Sequence, residues 1–256
     1  MPHLDSLLAE GVLSVETRCV MPSVTLPNWT SHLTGSGPEQ HGVVDNDWEK
    51  SKKPVLPPAC KDEDGYYPSV FKVLKDEKPE VRIAFYYNGE NLIYPYNKKC
   101  LDEVSFLKDD GYAENYDKVF DFLLKNRKNL TAVFLYSVHT DHAGHRYAWM
   151  SPEYIRSLEE VDKEIGQFIA KMKKEGLYES THFIFLSDHG GIRNGHGGVS
   201  VQEMVVPWGI VGPGIVRGEK MVEPNNTVNT ASVILKLFRV KQSSCWTEKV
   251  LESIFE

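Results

Sequence analysis

Two continuous apolar runs, TAVFLYSV from Thr131 and HFIFLSD from His182, constrain this chain more than any other feature. Neither alternates polar with apolar residues, so each reads as a strand buried on both faces. Between them Pro152 opens an amphipathic helix that reaches Lys174, with Ile155, Leu158, Val161, Ile165, Phe168 and Ile169 on one stripe. Buried strands separated by amphipathic helices imply an α/β fold: a mostly parallel central sheet with helices on both faces.

The same rhythm extends along the chain. HLDSLLAEG places Leu4, Leu7 and Leu8 on one helical face and stops at Gly11. Val12 to Val20 follows as a strand, then a short helix from Asn28 to Leu33, ended by the turn around Gly35 and Gly37. Residues 47–67 are rich in Pro, Lys and Asp and read as an irregular surface insertion. SVFKVLKD is a helix and VRIAFYY a strand; Tyr112 to Lys125 is a helix with Tyr116, Val119, Phe120 and Leu123 inward. MVVPWGIVG reads as an edge strand, because Pro207 has no amide hydrogen. Thr227–Phe238 and Thr247–Phe255 close the chain as helices. With 256 residues, no internal repeat and no linker, one domain over 1–256 is expected.

A net charge of -7 argues against a protein that clamps nucleic-acid backbone. It leaves room for a small anionic substrate, because bound metal ions supply local positive charge. No apolar run is long enough to span a bilayer, and the first ten residues lack the basic start of a signal peptide. The four cysteines, at positions 19, 60, 100 and 245, form no CxxC pair. They read as unpaired thiols, with Cys60–Cys100 the alternative if the protein is exported.

Three motifs follow strand ends, where open α/β sheets place ligands. In SDHGG, Asp188 and His189 offer a hard oxygen and a borderline nitrogen, a pair that zinc accepts. In HTDHAGH, Asp141 and His145 stand four apart and share a face if the segment is helical. His139 and His142 in the same run are weaker candidates, better read as flanking or solvated. In RNGHGG, His196 is flanked by glycine. Together these residues approach the ligand set of a two-metal site, whose ions stand roughly 4 Å apart and clamp both oxygens of an in-line displacement. Thr25, just past the first strand, is a hydroxyl at a strand-to-helix turn; it is either a metal-activated nucleophile or only a turn residue.

The run TLPNWTSHLTGSGPEQHGVVDN, Thr25 to Asn46, followed in order by DHAGH, SDHGG and GHGG, resembles the type I phosphodiesterase/nucleotide pyrophosphatase family of the alkaline phosphatase superfamily. The resemblance spans nearly the whole chain. It implies a hydrolase that forms a phospho-threonine on Thr25, with Asn46 holding a non-bridging phosphate oxygen. It implies two divalent metal ions, usually zinc: Asp141, His145 and His196 on one, and Asp188, His189 and Thr25 on the other. Relatives carry a further aspartate in an apolar strand ending Asp-Gly, ahead of the helix that here begins near Pro2. The chain starts after it, so a missing first strand and an incomplete second metal site are expected. The substrate is expected to be a small phosphoester, a nucleotide among the options, with Trp29, Trp48, Tyr66, Tyr67, Tyr86 and Tyr87 as stacking candidates. Relatives are often exported or membrane-anchored. A sulfatase needs a C/S-x-P-x-R frame, which Thr25-Leu26-Pro27-Asn28-Trp29 fails at both ends. Phosphomonoesterase, phosphonate hydrolase and a non-catalytic scaffold stay open as alternatives.

Overall fold

A computed structural model describes residues 1–108 and 111–256. The first half runs α1 (Pro2–Leu8), β1 (Val12–Arg18), α2 (Thr25–Thr34), α3 (Pro38–His41), α4 (Val70–Glu77), β2 (Arg82–Tyr87), β3 (Glu103–Phe106) and α5 (Tyr112–Lys125). Then come β4 (Thr131–Leu135), α6 (His139–Tyr147), α7 (Pro152–Lys174), β5 (Phe183–Leu186), α8 (Val201–Met204), β6 (Val205–Val211), β7 (Glu219–Lys220) and α9 (Asn229–Leu237).

The strands form two ladders. One, in the order β3-β2-β4, is wholly parallel. The other, β5-β6-β1-β7, is mixed: β6 runs antiparallel to both neighbours, and β7 is parallel to β1. Strand periodicity sets the two faces. Ile83 and Phe85 of β2 join the cluster containing Leu26, Trp29, Phe71 and Leu74 from α2 and α4. Ala84 and Tyr86, pointing the other way, pack on Val119 and Phe122 of α5. Likewise Phe183 and Phe185 of β5 meet Leu4, Leu7 and Met172 of α1 and α7, while Ile184 and Leu186 join the cluster of Trp208 and Val233. The α/β architecture with helices on both faces therefore stands.

Several local expectations are corrected. The runs taken as buried on both faces are only half-buried: in β4 Phe134 alone is buried, and in β5 no residue is. Among the described residues β4 is paired only to β2 and β5 only to β6, so each has one unpaired edge. Strand β6 is not at an edge but between β5 and β1. It tolerates Pro207 because Ser14–Trp208 and Thr17–Val206 pairing leaves two β1 residues opposite the proline, a bulge that asks no amide hydrogen of it. On α5, Asn115 and Phe122 are buried with Val119, whereas Tyr116, Phe120 and Leu123 are half-buried. The segment from Thr247 is not a helix beyond a single turn at Glu252–Ile254. Its backbone is engaged elsewhere: Thr247 N–H donates to Gly35 O, Asn229 Nδ2 to Lys249 O, and Val216 N–H to Ile254 O. The disulfide joins Cys60 to Cys245, with Cα atoms 6.0 Å apart, and Cys100 is a buried free thiol. This corrects both the expectation of unpaired thiols and the alternative Cys60–Cys100 pairing: Tyr67 OH donates to Cys245 O and Trp246 Nε1 to Pro68 O, which lashes the 60s segment to the C-terminal segment.

Two contacts fix helix ends around the site. The buried carboxylate of Asp162, on α7, accepts from the N–H groups of His3 and Leu4 at 3.1 and 2.8 Å. It satisfies the first turn of α1, which has no side-chain cap of its own. Helix α2 ends at Gly35 in the left-handed region, φ 59°, where Trp246 packs so closely that a Cβ would stand 2.9 Å from its ring.

His32 and His41 are buried and neutral. Burial lowers the His32 pKa to about 4 and that of His41 to about 3. His41 Nδ1 accepts from Val43 N–H, so Nε2–H donates to Ser31 Oγ. In the unfolded chain both protonate near pH ~6.5, so below that the unfolded state binds more protons. Their contribution is complete above pH ~6.5 and is lost as the pH falls through about 4 and about 3. Urea midpoints should fall between pH 6.5 and 4, with each histidine adding about 1.4 kcal/mol per pH unit to the slope. His41→Gln should flatten that slope, and an unchanged slope contradicts the assignment.

Candidate active site

Local sequence delivers three ligand-type segments to one place. Helix α6 follows β4 directly and is helical through HTDHAGH, so Asp141 and His145 share a face; Asp141 Oδ2 lies 3.6 Å from His145 Nε2. The loop carrying His196 brings its Nε2 to 3.1 Å from His145 Nε2 and 3.6 Å from Asp141 Oδ1. One ligand atom from each of these three residues lies within 4.8 Å of the others, close enough to hold one metal ion.

The second set abuts the first. Asp188 and His189 follow β5, with His189 Nε2 3.4 Å from Asp188 Oδ2 and 3.2 Å from Thr25 Oγ1. The rings of His189 and His196 stack at 3.7 Å. Thr25 is the first residue of α2, whose helix starts three residues earlier than the sequence suggests. Asn46 Oδ1 accepts from Leu26 N–H at 2.7 Å and so fixes the carboxamide beside Thr25. All seven candidates thus converge. His139 does not join them: its ring stacks on Tyr112 and its Nε2 donates to Ser157 O at 3.0 Å. His142 is exposed on the same helix.

The imidazoles share one chemical feature. His145 Nδ1 is 2.9 Å from Asn194 O, His196 Nδ1 is 3.0 Å from Ser23 O, and His189 Nδ1 is 2.8 Å from Gly190 O. A carbonyl only accepts, so each Nδ1 carries a proton, and the neutral form of each ring then presents an Nε2 lone pair to the cluster. Asp141 Oδ1 and Asp188 Oδ2 are buried and have no hydrogen-bond partner among the described residues. Burial raises the Asp188 pKa, opposed by His189 and reinforced by Asp141. Burial also lowers that of His196, and His189 lowers it further. Unpaired buried carboxylate oxygens cost free energy, and a cation between carboxylates and Nε2 lone pairs removes that cost. The residues present therefore fit a metal, and the donor set of imidazole nitrogen and carboxylate oxygen suits zinc.

Residues without a motif hold this geometry. Ser23 Oγ donates to Gly198 O at 2.7 Å and accepts from Gly197 N–H at 3.1 Å, docking the His196 loop onto the turn before Thr25. Glu203, buried, accepts from Gly198 N–H and from the backbone and hydroxyl of Ser200. Beneath Asp188, His32 Nε2–H donates to Ser187 O, its Nδ1 accepts from Thr230 Oγ1, and Thr230 accepts from Trp208 Nε1. No spacing in the sequence marks these residues. The stacking candidates fare differently: Trp29, Tyr67, Tyr86 and Tyr87 are buried core residues, and only Trp48 and Tyr66 lie outside the fully buried set. Among the described residues no helix is long and apolar enough to cross a membrane.

The chain matches the family described as Type I phosphodiesterase / nucleotide pyrophosphatase over residues 1–211. It is 29% identical over 195 residues to an uncharacterized pyrophosphatase/phosphodiesterase of Schizosaccharomyces pombe, covering 74% of this chain and 40% of that protein. It is 28% identical to bovine bis(5'-adenosyl)-triphosphatase ENPP4, covering 74% of this chain and 43% of that one. The chain thus spans less than half the length of these curated relatives. Its fold is similar to murine ectonucleotide pyrophosphatase / phosphodiesterase 5, with a TM-score of 0.80 at 14% identity, covering 100% of this chain and 94% of that one. It is also similar to a phosphonate monoester hydrolase from Silicibacter pomeroyi, with a TM-score of 0.67 at 18% identity, covering 98% and 70% of the two chains. On the family match over residues 1–211, the chain belongs to the type I phosphodiesterase/nucleotide pyrophosphatase family.

Proposed function

We propose that this chain carries the catalytic site of a metal-dependent phosphodiesterase of the nucleotide pyrophosphatase type, with Thr25 as nucleophile. The observation that carries the reading is the pair of Nε2 atoms on His145 and His196, 3.1 Å apart while both Nδ1 protons are committed to carbonyls. Two lone pairs at that separation repel, and a cation shared with Asp141 turns the repulsion into ligation. Asp141, His145 and His196 would hold one ion, and Asp188, His189 and Thr25 the other. Bound there, divalent cations supply Lewis acidity that lowers the pKa of the Thr25 hydroxyl and neutralises charge on phosphoryl oxygens.

The protein's own groups do the rest. Thr25 Oγ1, at the first turn of α2, loses its proton and attacks phosphorus in line, forming a phosphothreonine as the leaving oxygen departs. The N-terminus of α2 places favourable potential where the phosphoryl group sits. Asn46, held by Leu26 N–H, directs its Nδ2 toward a non-bridging oxygen. Water then cleaves the phosphothreonine and restores the hydroxyl. The substrate class proposed is a small nucleotide phosphodiester. The ENPP4 relatives are named bis(5'-adenosyl)-triphosphatases, and an inactive threonine-to-alanine variant of murine ENPP5 was solved with AMP.

Three outcomes test this. Thr25→Ala should cut turnover of an aryl phosphodiester by about 10³-fold or more, with fold and zinc content largely retained; wild-type turnover would rule out the nucleophile. Zinc titration of the 256-residue chain should show one tight site and one weaker site, because the second set counts a hydroxyl among its three donors. Two equally tight zinc ions would contradict this division. Aryl phosphomonoester, phosphonate and sulfate substrates assayed alongside should all turn over more slowly than the diester.

A further inference from the structure

We propose that Trp149 is a positioning residue that sets the spacing between the candidate metal ligands, a role that rests on the metal reading above. Its indole lies between two glycines, one from each ligand-bearing segment. Gly144 sits within α6 between Asp141 and His145, and Gly191 follows Asp188-His189. A Cβ at Gly144 would stand 2.7 Å from indole Cδ2 and 2.7 Å from Cε2; one at Gly191 would stand 2.4 Å and 2.2 Å from the same atoms. Those two atoms form the bond shared by the two rings, so both backbones approach the middle of the bicycle. Neither motif could carry a side chain at its glycine with the indole in place. The rings of His145 and His196 are both T-shaped to it, at 5.2 Å and 5.9 Å. Two of the three ligands in the tight group thus touch one aromatic wedge.

The backbone is shaped to hold this ring. Four non-glycine residues have positive φ among the described residues, and three of them surround Trp149. Ala148 (φ 78°) and Met150 (φ 66°) flank it, and Arg193 (φ 54°) offers the carbonyl that accepts Trp149 N–H at 2.7 Å. Residues with a Cβ occupy that region only where their surroundings compel it, and such residues gather where geometry serves a site. Arg193 and Asn194 lie in the same loop, and Asn194 O fixes the His145 tautomer. Trp149 therefore ties α6 to the 189–196 loop at the point where their ligands meet. A residue that only filled space would alter stability when removed, but not the zinc affinity of the folded protein.

The test measures zinc affinity of the full chain by competition with a chromophoric chelator, with the melting temperature of the metal-free protein alongside. Trp149→Ala should weaken the tight zinc site about tenfold or more, the range seen when groups that orient metal ligands are lost. Trp149→Phe, which keeps a flat ring, should restore part of the affinity. Gly191→Ala should weaken zinc in the wild-type background and cost less in the Trp149→Ala background, where the new methyl enters vacated space. If Trp149→Ala does not fold, Gly191→Ala decides alone. Folded Trp149→Ala or Gly191→Ala that binds zinc as tightly as wild type overturns the role. A wild-type chain that binds no zinc instead defeats the metal reading, and this role with it.

Discussion

Three imidazoles with their Nδ1 protons fixed on backbone carbonyls meet two desolvated carboxylates at one point, and the rest of the structure is organised around that meeting. Hydrogen bonds from the rings to the carbonyls of Asn194, Ser23 and Gly190 choose the tautomers. Once chosen, the Nε2 edges face one another and the unpartnered oxygens of Asp141 and Asp188. Such a cluster is unfavourable as protein alone: His189 Nε2 accepts from Thr25 Oγ1, but the Nε2 atoms of His145 and His196 face one another and the buried oxygens of Asp141 and Asp188 find no donor among the described residues. It becomes favourable when a cation completes it. The groups that destabilise the arrangement are the same ones that a cation would need as ligands, as expected where polar groups are kept in place against their own solvation.

The scaffold supplies that arrangement by simple means. Helices α2 and α6 and the loop after β5 all start at strand ends, so short connections leave little freedom in where the ligands fall. Buried polar bonds then remove what freedom remains. Asp162 ties α1 to α7, His32 ties α2 to Ser187, and Ser23 ties the turn before Thr25 to the His196 loop. Each bond is buried or partly buried, where a lost partner leaves an unsatisfied group rather than a wet one. Cys60–Cys245 closes a loop of 185 residues in sequence separation and fastens the irregular 60s segment to the C-terminal segment.

Much of this was legible in the sequence, and the reasons differ by element. Asp141, His145, Asp188 and His189 announced themselves because ligand-type side chains stood after apolar strand-like runs, a pattern core packing does not require; His196, in a glycine-rich loop, counted only alongside them. Thr25 and Asn46 did not: composition alone left Thr25 a turn residue, and the family's motif order brought both forward. Pro207 misled because an absent amide hydrogen suggests an edge, while a bulge in the neighbouring strand serves equally well. The C-terminal segment misled because its helical pattern lost to tertiary hydrogen bonds with Gly35, Asn229 and Val216. Ser23, Glu203 and Trp149 were invisible, since their importance lies in what they touch across the fold. The glycines of DHAGH and SDHGG were visible as motif residues, but the indole that demands them stands outside both motifs.

The most direct measurement is a crystal structure of the zinc-loaded chain with anomalous diffraction recorded on both sides of the zinc absorption edge. The account requires an anomalous peak bonded to Nε2 of both His145 and His196 and to a carboxylate oxygen of Asp141. Zinc bound only at other residues, or those two Nε2 atoms turned away from a common ion, would contradict it.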